Sequence, residues 1–588
     1  MNDRQSQRLS DVEKGHNRQQ SPLHAGSSHE AESSNTETTR CAQFPTDEKG
    51  REIVEWDGPD DPDNPFNWSR SYKWLITITT CFISILTGLP AGSYSAGNSY
   101  MEQDFGISQD NFPWLTWATA SWNVGAAVFP LLFVPLTENS GRMPGYFISY
   151  IIFLIFLVPS GVGTNFATMV TTRFFGGGAS SVSINIVGGT IADIWKGPAE
   201  RSVPMSIFGM TSVVGIALGP FIGGAIQTNE TTINWHWIYW IQLIFDGALL
   251  PVFWFILRET RGDVLLAKRA KRIRKETGRQ AYAKAELESE KVSTMVMISF
   301  KRPTKMLLTE FVVFSFTLWV SFAWGLLFLF QSSIPQTFSA NYGFNTFQSS
   351  LIQLALSVGA IVGTIINPYQ DKLYLRSAHR NKEAEGKPIP EARLYFSIPG
   401  SLLFAGALFW YGWSSYPNVH WIVPTLAIGF IGLGIYSIYM ATVMYLTDAY
   451  EKYASSALSA ASLGRNTFAA FLPLASQDLF NNLGFQWAGS LLGFLALVLS
   501  GVPILLFFKG KYLRSKSPFI AEATFEEGDS EERRRSTKQE GSKGLGGPAG
   551  QARPAAPTIG REVRLNFRTS KAIFSIAAGE DAKREDVG

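Results

Sequence analysis

Two ionisable residues, Arg173 and Asp246, lie inside apolar stretches of the sequence. Arg173 begins the run RFFGGGAS, and Asp246 lies near the centre of IQLIFDGALL. A charged side chain within a membrane-spanning helix costs at least about 2.5 kcal/mol, so it should face a polar cavity or a partner. Asp246 could then transfer a proton, make a local hydrogen bond or ion pair, or lie nearer the membrane surface. Arg173 could act at depth or extend to the nearby outer surface.

Other kinds of chemistry find little support in the sequence. No GxxxxGK[ST] loop for nucleotide phosphates occurs, so an ion gradient is the simplest energy source. Of the six histidines, His236 and His420 come at predicted helix ends and the others in tails or loops, so none is a deep proton carrier. Without clustered histidines or an activated nucleophile, we predict no enzyme activity, no metal and no cofactor.

Apolar segments must position these residues. The chain has 588 residues, of which 46% are hydrophobic and 17% are charged. A helix of about 20 apolar residues spans a bilayer. Twelve such segments can be delimited, at residues 75–95, 113–136, 145–165, 168–192, 204–226, 236–257, 309–332, 349–370, 394–413, 419–445, 454–475 and 486–508. We predict an all-α integral membrane protein with twelve transmembrane helices.

The loops between the segments alternate in charge. Neither lysine nor arginine occurs in the loops at residues 96–112, 227–235, 333–348, 414–418 and 476–485, whereas the alternate loops are basic. Because lysine and arginine stay on the cytosolic side, both termini are predicted to be cytosolic.

The longest loop, residues 258–308, divides the helices into two bundles of six, at residues 71–257 and 309–516. Its basic run at 267–275 is interpreted as a solvated helix face or one that lies on anionic headgroups. A formal net charge of only +3 does not indicate a nucleic-acid partner. The polar tails, residues 1–70 and 517–588, are predicted to be disordered and cytosolic.

The fifth segment is rich in glycine. In GIALGPFIGGAI, Gly215, Gly219 and Gly223 recur every fourth residue and so share one helix face, which lets a neighbouring helix approach closely. Pro220 frees a backbone carbonyl one turn earlier, which a partner must satisfy. Two bundles of six helices further suggest rocking about a cavity near the membrane midplane.

Three motifs resemble the major facilitator superfamily. GIALGPFIGGAI, with Gly224 as its last glycine, is similar to the fifth-helix antiporter motif. PLTENSGRMPGY resembles the loop between the second and third helices. It keeps Glu138, Gly141 and Arg142 but has Met143 where a second arginine is usual. RFFGGGAS resembles the family's fourth-helix motif, whose arginine is implicated in proton coupling. The resemblance implies that the antiporter motif seals the interface between the bundles of an exporter.

Further stretches resemble fungal twelve-span drug:proton antiporters, in the branch with polyamine and multidrug exporters. They include DPDNPFNWSRSYKW, WHWIYWIQ, LRETRGDVLL, PEARL and YLTDAY. The resemblance implies a monomeric, proton-coupled efflux transporter of the plasma membrane whose partners are protons, lipid and small organic compounds. A dedicated exporter of one secondary metabolite or of polyamines is an alternative. A receptor or scaffold that has lost transport is another.

The candidate sites follow from these patterns. Proton coupling or gating is assigned to Arg173, Asp246, Glu138 and Arg142. By the resemblance, substrate would be bound by polar and aromatic residues of the first, fourth, seventh and tenth helices: Tyr94, Asn185, Trp324, Gln331, Tyr436 and Tyr439. Such walls favour uncharged or amphiphilic compounds. Arg465 and Asn466 are interpreted as structural. Asn229 begins a glycosylation sequon.

Overall fold

The computed structural model describes residues 45–46, 49–107, 113–227, 234–288, 292–381 and 386–522. Asn229 lies outside the described residues, as do most of the two tails. The described part is predominantly helical. Its first half contains α1 (Arg70–Ser93), α2 (Asn98–Phe105), α3 (Trp114–Ser140), α4 (Arg142–Val162), α5 (Phe166–Ile194), α6 (Gly197–Gln227) and α7 (His236–Ile256).

The central loop and the second half continue this order. The loop forms α8 (Gly262–Thr277), α9 (Lys284–Leu287) and α10 (Val292–Thr309). The second half forms α11 (Phe311–Tyr342), α12 (Thr346–Arg376), α13 (Ser397–Ser414), α14 (Ile422–Tyr450), α15 (Ala454–Phe471), α16 (Ser476–Leu499) and α17 (Gly501–Ser515). Two short strands, β1 (Glu52–Ile53) and β2 (Ala281–Tyr282), pair in parallel.

The predicted membrane segments fall on these helices. By length and hydropathy, nine continuous helical stretches of the described chain qualify as membrane spans. Eight hold one predicted segment each, and the ninth, Ile422–Ser515, holds the last three. The remaining segment is α5, which does not qualify because Arg173 and its many small residues lower its hydropathy. The fold is therefore the predicted all-α membrane architecture.

The helices form two bundles. In the first, α6 packs along α1, and α5 packs against both α3 and α4. In the second, α15 packs along α11, and α14 against α12 and α13. The bundles meet along two lines, where α6 contacts α12 and α3 contacts α15. The interface between the bundles therefore runs along these four helices.

The N-terminal segment before α1 corrects the prediction of a disordered tail in its described part. Glu52 and Ile53 of β1 lie beside Ala281 and Tyr282 of β2. Val54 is buried in a small apolar core with Ala270, Ala281 and Ala283 of the central loop. The side of the membrane that holds this segment and α8 is called the loop side below, and the opposite side is called the far side.

Ion pairs attach this N-terminal segment to the central loop. The Arg269 guanidinium in α8 makes ion pairs of 3.0, 2.8 and 3.4 Å with Asp57, Asp61 and Asp63. Burial alone would raise the pKa of Asp61. Hydrogen bonds from the amides of Asp57 and Asp63 and from Arg269 outweigh this effect and hold that pKa below its ordinary value. Arg269 of the basic run is thus paired within the chain, so the run is not simply a solvated face.

Replacing Arg269 with alanine should release this segment. Buried Asp61 would lose its cation, and the three aspartates would repel one another, a loss of about 2 kcal/mol. We expect faster trypsin cleavage within residues 49–69 in the purified protein, with the membrane core still resistant. Arg272→Ala is the matched control, because Arg272 lies about one turn away and forms its ion pair with exposed Glu276. Equal cleavage of both variants and the wild type would contradict this role for Arg269.

Candidate functional site

A cavity of about 280 Å³ lies between the two bundles. Its walls come from α3, α5 and α6 of the first bundle and from α14 and α15 of the second. At the loop side its lining includes Glu138 in the last turn of α3, Arg201 in the first turns of α6 and Asp448 near the end of α14. It extends inward to Asn185 and Arg465. The cavity therefore runs from the loop side toward the middle of the membrane.

Contacts between the bundles close the far side. The rings of Phe221 in α6 and Phe347 in α12 have centroids 6.1 Å apart. A Cβ atom on Gly224 would lie 2.7 Å from the Ser350 hydroxyl oxygen and 3.0 Å from its Cβ, so a larger residue would require Ser350 to move. Along the other line, the Asn466 amide donates to the Ala126 carbonyl at 3.0 Å. The structure is thus a state open to the loop side and closed at the far side.

Small residues hold α6 against α1. A Cβ atom on Gly219 would lie 2.4 Å from the Leu89 carbonyl oxygen and 2.6 Å from the Ser93 nitrogen. Added Cβ atoms on Gly215 and Gly223 would also meet the backbone of α1. The Pro220 ring lies against Gly92, where a Cβ atom would be 2.8 Å from its Cδ. The glycine face of the motif therefore lies within the first bundle, whereas Gly224 faces the second.

The first group of charges lies at the loop end of the first bundle. Arg142 donates to Asp193 at 3.0 Å, and Arg261 reaches the same carboxylate at 3.5 Å. Glu259 accepts from the amide of Arg142 at 2.9 Å. Gly141 has φ +107°, and a Cβ atom there would lie 2.1 Å from Glu259. Asp193 and Glu259, which lie outside the sequence motif, thus form the charge network around Arg142.

Glu138, the other charged residue of that motif, is not in the network. Its side chain is half-buried and lines the cavity, with no ion pair or hydrogen bond to any other described residue. It is therefore a carboxylate exposed to the water-accessible part of the cavity.

The second bundle carries a similar group. Arg393 of PEARL donates to Asp448 at 2.8 Å and to Asp371 at 3.0 Å. The neighbouring Glu391 pairs with Arg514 at 2.8 Å. In the sequence, PEARL and YLTDAY stand out only as stretches that resemble the family. The signal that could have revealed this site is that both stretches carry charged residues, Glu391 and Arg393 in one and Asp448 in the other, beside the loop end of a helix.

Arg173 is buried inside the first bundle and does not extend to the outer surface. It is 1% exposed, and its guanidinium donates to the carbonyls of Ala118 in α3 at 2.9 Å and Pro90 in α1 at 3.1 Å. The rings of Tyr94 and Trp122 lie 4.2 and 5.1 Å from its guanidinium carbon. Its Nη2 makes no hydrogen bond within the described chain, although the Tyr239 hydroxyl interacts electrostatically with the guanidinium. Arg173 therefore joins α5 to α1 and α3 near the point where α1 ends.

Asp246 is completely buried and away from the cavity. Its backbone carbonyl accepts a hydrogen bond from the Tyr150 hydroxyl at 3.2 Å. Neither carboxylate oxygen has a hydrogen-bond partner within the described chain, although Gln242, one turn earlier, interacts with it electrostatically. A carboxylate anion without a cation is costly in such a place, so the neutral acid fits the geometry.

The predicted substrate residues separate into two sets. Asn185 and Tyr439 line the cavity, and Trp324 lines a smaller cavity of about 40 Å³ at its inner end. Tyr436 lines a narrow space between α12 and α14, and its hydroxyl donates to the Ser206 carbonyl at 3.3 Å. In this state Tyr94 and Gln331 line none of these spaces. Tyr94 packs on Arg173, and Gln331 lies in the closed part near Gly92.

Known proteins similar to this chain are transporters. The sequence profile of the Major Facilitator Superfamily matches residues 80–453. The chain is 33% identical to the MFS transporter cpaT of Aspergillus oryzae, over 81% of this chain and 94% of that protein. It is 32% identical to the efflux pump radE of Floropilus chiversii, over 80% and 87% of the two chains. It is 33% identical to the citrinin biosynthesis cluster MFS transporter mrr1 of Monascus ruber, over 83% and 97%.

Solved structures give the same fold at much lower identity. The proton:xylose symporter XylE, bound to 6-bromo-6-deoxy-D-glucose, is 16% identical with a TM-score of 0.54, over 75% of this chain and 96% of that one. The partially occluded inward-open XylE from E. coli is 16% identical with a TM-score of 0.51, over 74% and 97%. At this identity the likeness concerns the fold alone.

Proposed function

The chain belongs to the major facilitator superfamily, whose members are membrane transporters and not enzymes, and we propose that it is a proton-coupled exporter of small organic metabolites. The relatives described as an efflux pump and as a biosynthesis cluster transporter support export of a metabolite. We further propose that it acts in the plasma membrane as a monomer, with the loop side facing the cytosol.

The observation that carries the proposal is the cavity with access from one side. Its open end lies at the loop side, and its closed end depends on a few close contacts, such as Gly224 with Ser350 and Phe221 with Phe347. Breaking these contacts while the loop ends of α6 and α14 approach would expose the same site to the far side. A rocking motion of two bundles about a central site is alternating access.

Proton coupling requires a group that reaches both water and substrate. Glu138 lines the cavity at its open side and has no ion-pair partner among the described residues, so we propose that it carries the coupled proton. Asp246 has no such access in this state, and we assign it a structural role as a neutral acid. Arg142 and Arg173 connect helices at the two ends of the first bundle, and we propose that they transmit the coupling as gating residues.

The wall charges argue against the alternative of polyamine export. Two carboxylates, Glu138 and Asp448, line the cavity together with four arginines: Arg142, Arg201, Arg393 and Arg465. A polycation would need a wall with more carboxylates than arginines, whereas arginines outnumber carboxylates in this cavity. The transporter is therefore better suited to compounds without multiple positive charges.

Energised uptake into inverted plasma-membrane vesicles tests the proposal, because inverted vesicles present the cytosolic face and export appears as uptake. A fluorescent planar cation, an azole and an aromatic carboxylic acid form the first panel. We expect accumulation of at least one of these compounds above that in empty vesicles, and its collapse with a protonophore. Accumulation that survives the protonophore would contradict proton coupling, and none for any compound would contradict this cargo range.

Glu138→Gln should uncouple transport. With the membrane potential held at zero, an imposed gradient of one pH unit supplies about 1.4 kcal/mol per proton, enough for roughly tenfold accumulation of a substrate exchanged for one proton. Glutamine keeps the size but cannot carry the proton, so accumulation should fall to the level of protonophore-treated vesicles while binding persists. Asp246→Asn is the control, and it should accumulate substrate as the wild type does. If Glu138→Gln still accumulates substrate and Asp246→Asn does not, the two assignments are reversed.

A further inference from the structure

The inner end of the cavity holds an arginine without a counter-ion. Arg465 follows Ala454, the first residue of α15, by eleven positions, which places it roughly 16 Å along the helix. It lines both the main cavity and the smaller one beyond it. Among the described residues no carboxylate lies within ion-pair distance of Arg465, and its buried Nε has no hydrogen-bond partner. Its charge is thus available at the depth where a substrate would bind.

The other arginines of the wall differ from it. Arg142 and Arg393 are each held by buried or half-buried aspartates at the loop end. Arg201 lies at the same level, where its guanidinium donates to the Ala192 carbonyl at 3.4 Å and is influenced by Asp193 and Asp448. The inner end therefore keeps a net positive charge, whereas the charges at the mouth are largely compensated.

The surroundings of Arg465 leave its donors usable. The guanidinium carbon lies 4.5 Å from the ring centre of Trp324 and 5.1 Å from that of Tyr439. Aromatic rings over a guanidinium occupy its faces, and its N–H groups point outward from its edge. Two parallel N–H donors match the two oxygens of a carboxylate. The same two rings, with centroids 5.2 Å apart, offer apolar surface to the body of a ligand.

We propose that the inner end of the cavity binds organic anions, with the carboxylate of an aromatic acid paired to the edge of Arg465 and its apolar body against Trp324 and Tyr439. Asn185, which lines the same space, supplies polar contacts at the rim. This inference rests on the proposed function, because it names the class of compound that the exporter carries. It narrows the uncharged or amphiphilic cargo expected from the sequence to an amphiphilic anion.

Equilibrium dialysis against the purified full chain in detergent at pH 7 tests the proposal by binding alone. The probes share one ring system: 1-naphthylacetic acid, its neutral amide 1-naphthylacetamide, and the cation 2-(1-naphthyl)ethylamine. We expect the acid to bind at least about tenfold more tightly than the amide, since hydrogen bonds between charged groups are roughly twice as strong as neutral ones. The amine should bind most weakly.

Variants assign the preference to one side chain. Arg465→Gln should remove the preference for the acid but leave amide binding unchanged, which also shows that the variant is folded. Arg465→Lys keeps the charge without the planar fork and should retain part of the preference. Arg272→Gln, on the exposed face of α8, is the control and should match the wild type.

Several results would overturn the proposal. They are equal binding of acid and amide by the wild type, no binding of the acid, and a preference that survives Arg465→Gln. Displacement of the acid by millimolar inorganic phosphate would show a site for inorganic anions, which also overturns it. Export and anion preference can fail separately, because vesicle uptake of a neutral compound would leave the transporter established. A preference in dialysis without gradient-driven uptake would instead contradict export.

Discussion

Replacement of Arg173 with alanine should abolish gradient-driven transport and lower the free energy of unfolding by about 3 kcal/mol. The loss has two sources. The carbonyls of Pro90 and Ala118 would each lose the guanidinium donor inside the bundle, although that of Ala118 keeps a hydrogen bond from the Ser121 hydroxyl at 2.8 Å. The rings of Tyr94 and Trp122 would also face an empty volume. The joint between α5, α1 and α3 would then be lost.

Stability and transport are measured separately for this variant. Thermal unfolding of the purified protein gives the first, and vesicle uptake gives the second. Arg173→Lys should recover part of the stability, since an ammonium can reach one carbonyl but not two. Arg70→Ala is the control, because Arg70 lies exposed at the start of α1. An Arg173→Ala protein with wild-type unfolding and uptake would show that the buried guanidinium has no role in either.

The second large effect is expected at Gly219. Even the methyl group of alanine would overlap the Leu89 carbonyl oxygen at 2.4 Å and the Ser93 nitrogen at 2.6 Å. Both are backbone atoms of α1, so the contact can be relieved only by moving one helix away from the other. We expect Gly219→Ala to lower the free energy of unfolding by about 3 kcal/mol, near the upper end for overpacking.

A matched glycine makes this prediction specific. Gly247 lies inside α7, and a Cβ atom there would meet nothing within 4 Å. Gly247→Ala should therefore be neutral or stabilise by up to about 1 kcal/mol, because alanine favours a helix. Thermal unfolding of both variants in the same detergent gives the comparison. Equal stability would mean that α1 and α6 adjust without cost and that the small residues do not determine their distance.

The sequence predicted the fold and the close approach of a helix at the glycine face, because both depend on local pattern. The resemblance placed the whole motif at the interface between the bundles, whereas of its four glycines Gly224 faces the second bundle. Apolar length locates membrane helices, and a repeat of Gly215, Gly219 and Gly223 at four-residue spacing defines one helix face whatever its partner. That this face meets α1 could not be deduced from spacing, since any neighbouring helix would satisfy the pattern.

Ion pairs between distant residues were harder to predict. Arg393 pairs with Asp371 and Asp448, and these contacts depend on how α12 and α14 cross at the loop side. The composition of the N-terminal segment suggested disorder, but its aspartates find their cation in Arg269, more than 200 positions later. Arg465 was interpreted as structural because a helix sequence does not show whether an acidic partner is near. Its placement at the inner end of the cavity therefore required the three-dimensional arrangement.

The pairing of β1 with β2 limits how this gene can be recombined with a relative. Strand β2 lies in the loop between the two bundles, yet it is completed by β1, which precedes the first bundle. A chimera joined at the start of α8 would unite one parent's N-terminal aspartates with the other parent's basic helix. A junction between α9 and α10 would instead keep strand, helix and aspartates from a single parent. Chimeras that exchange cargo specificity between relatives should therefore be joined between α9 and α10.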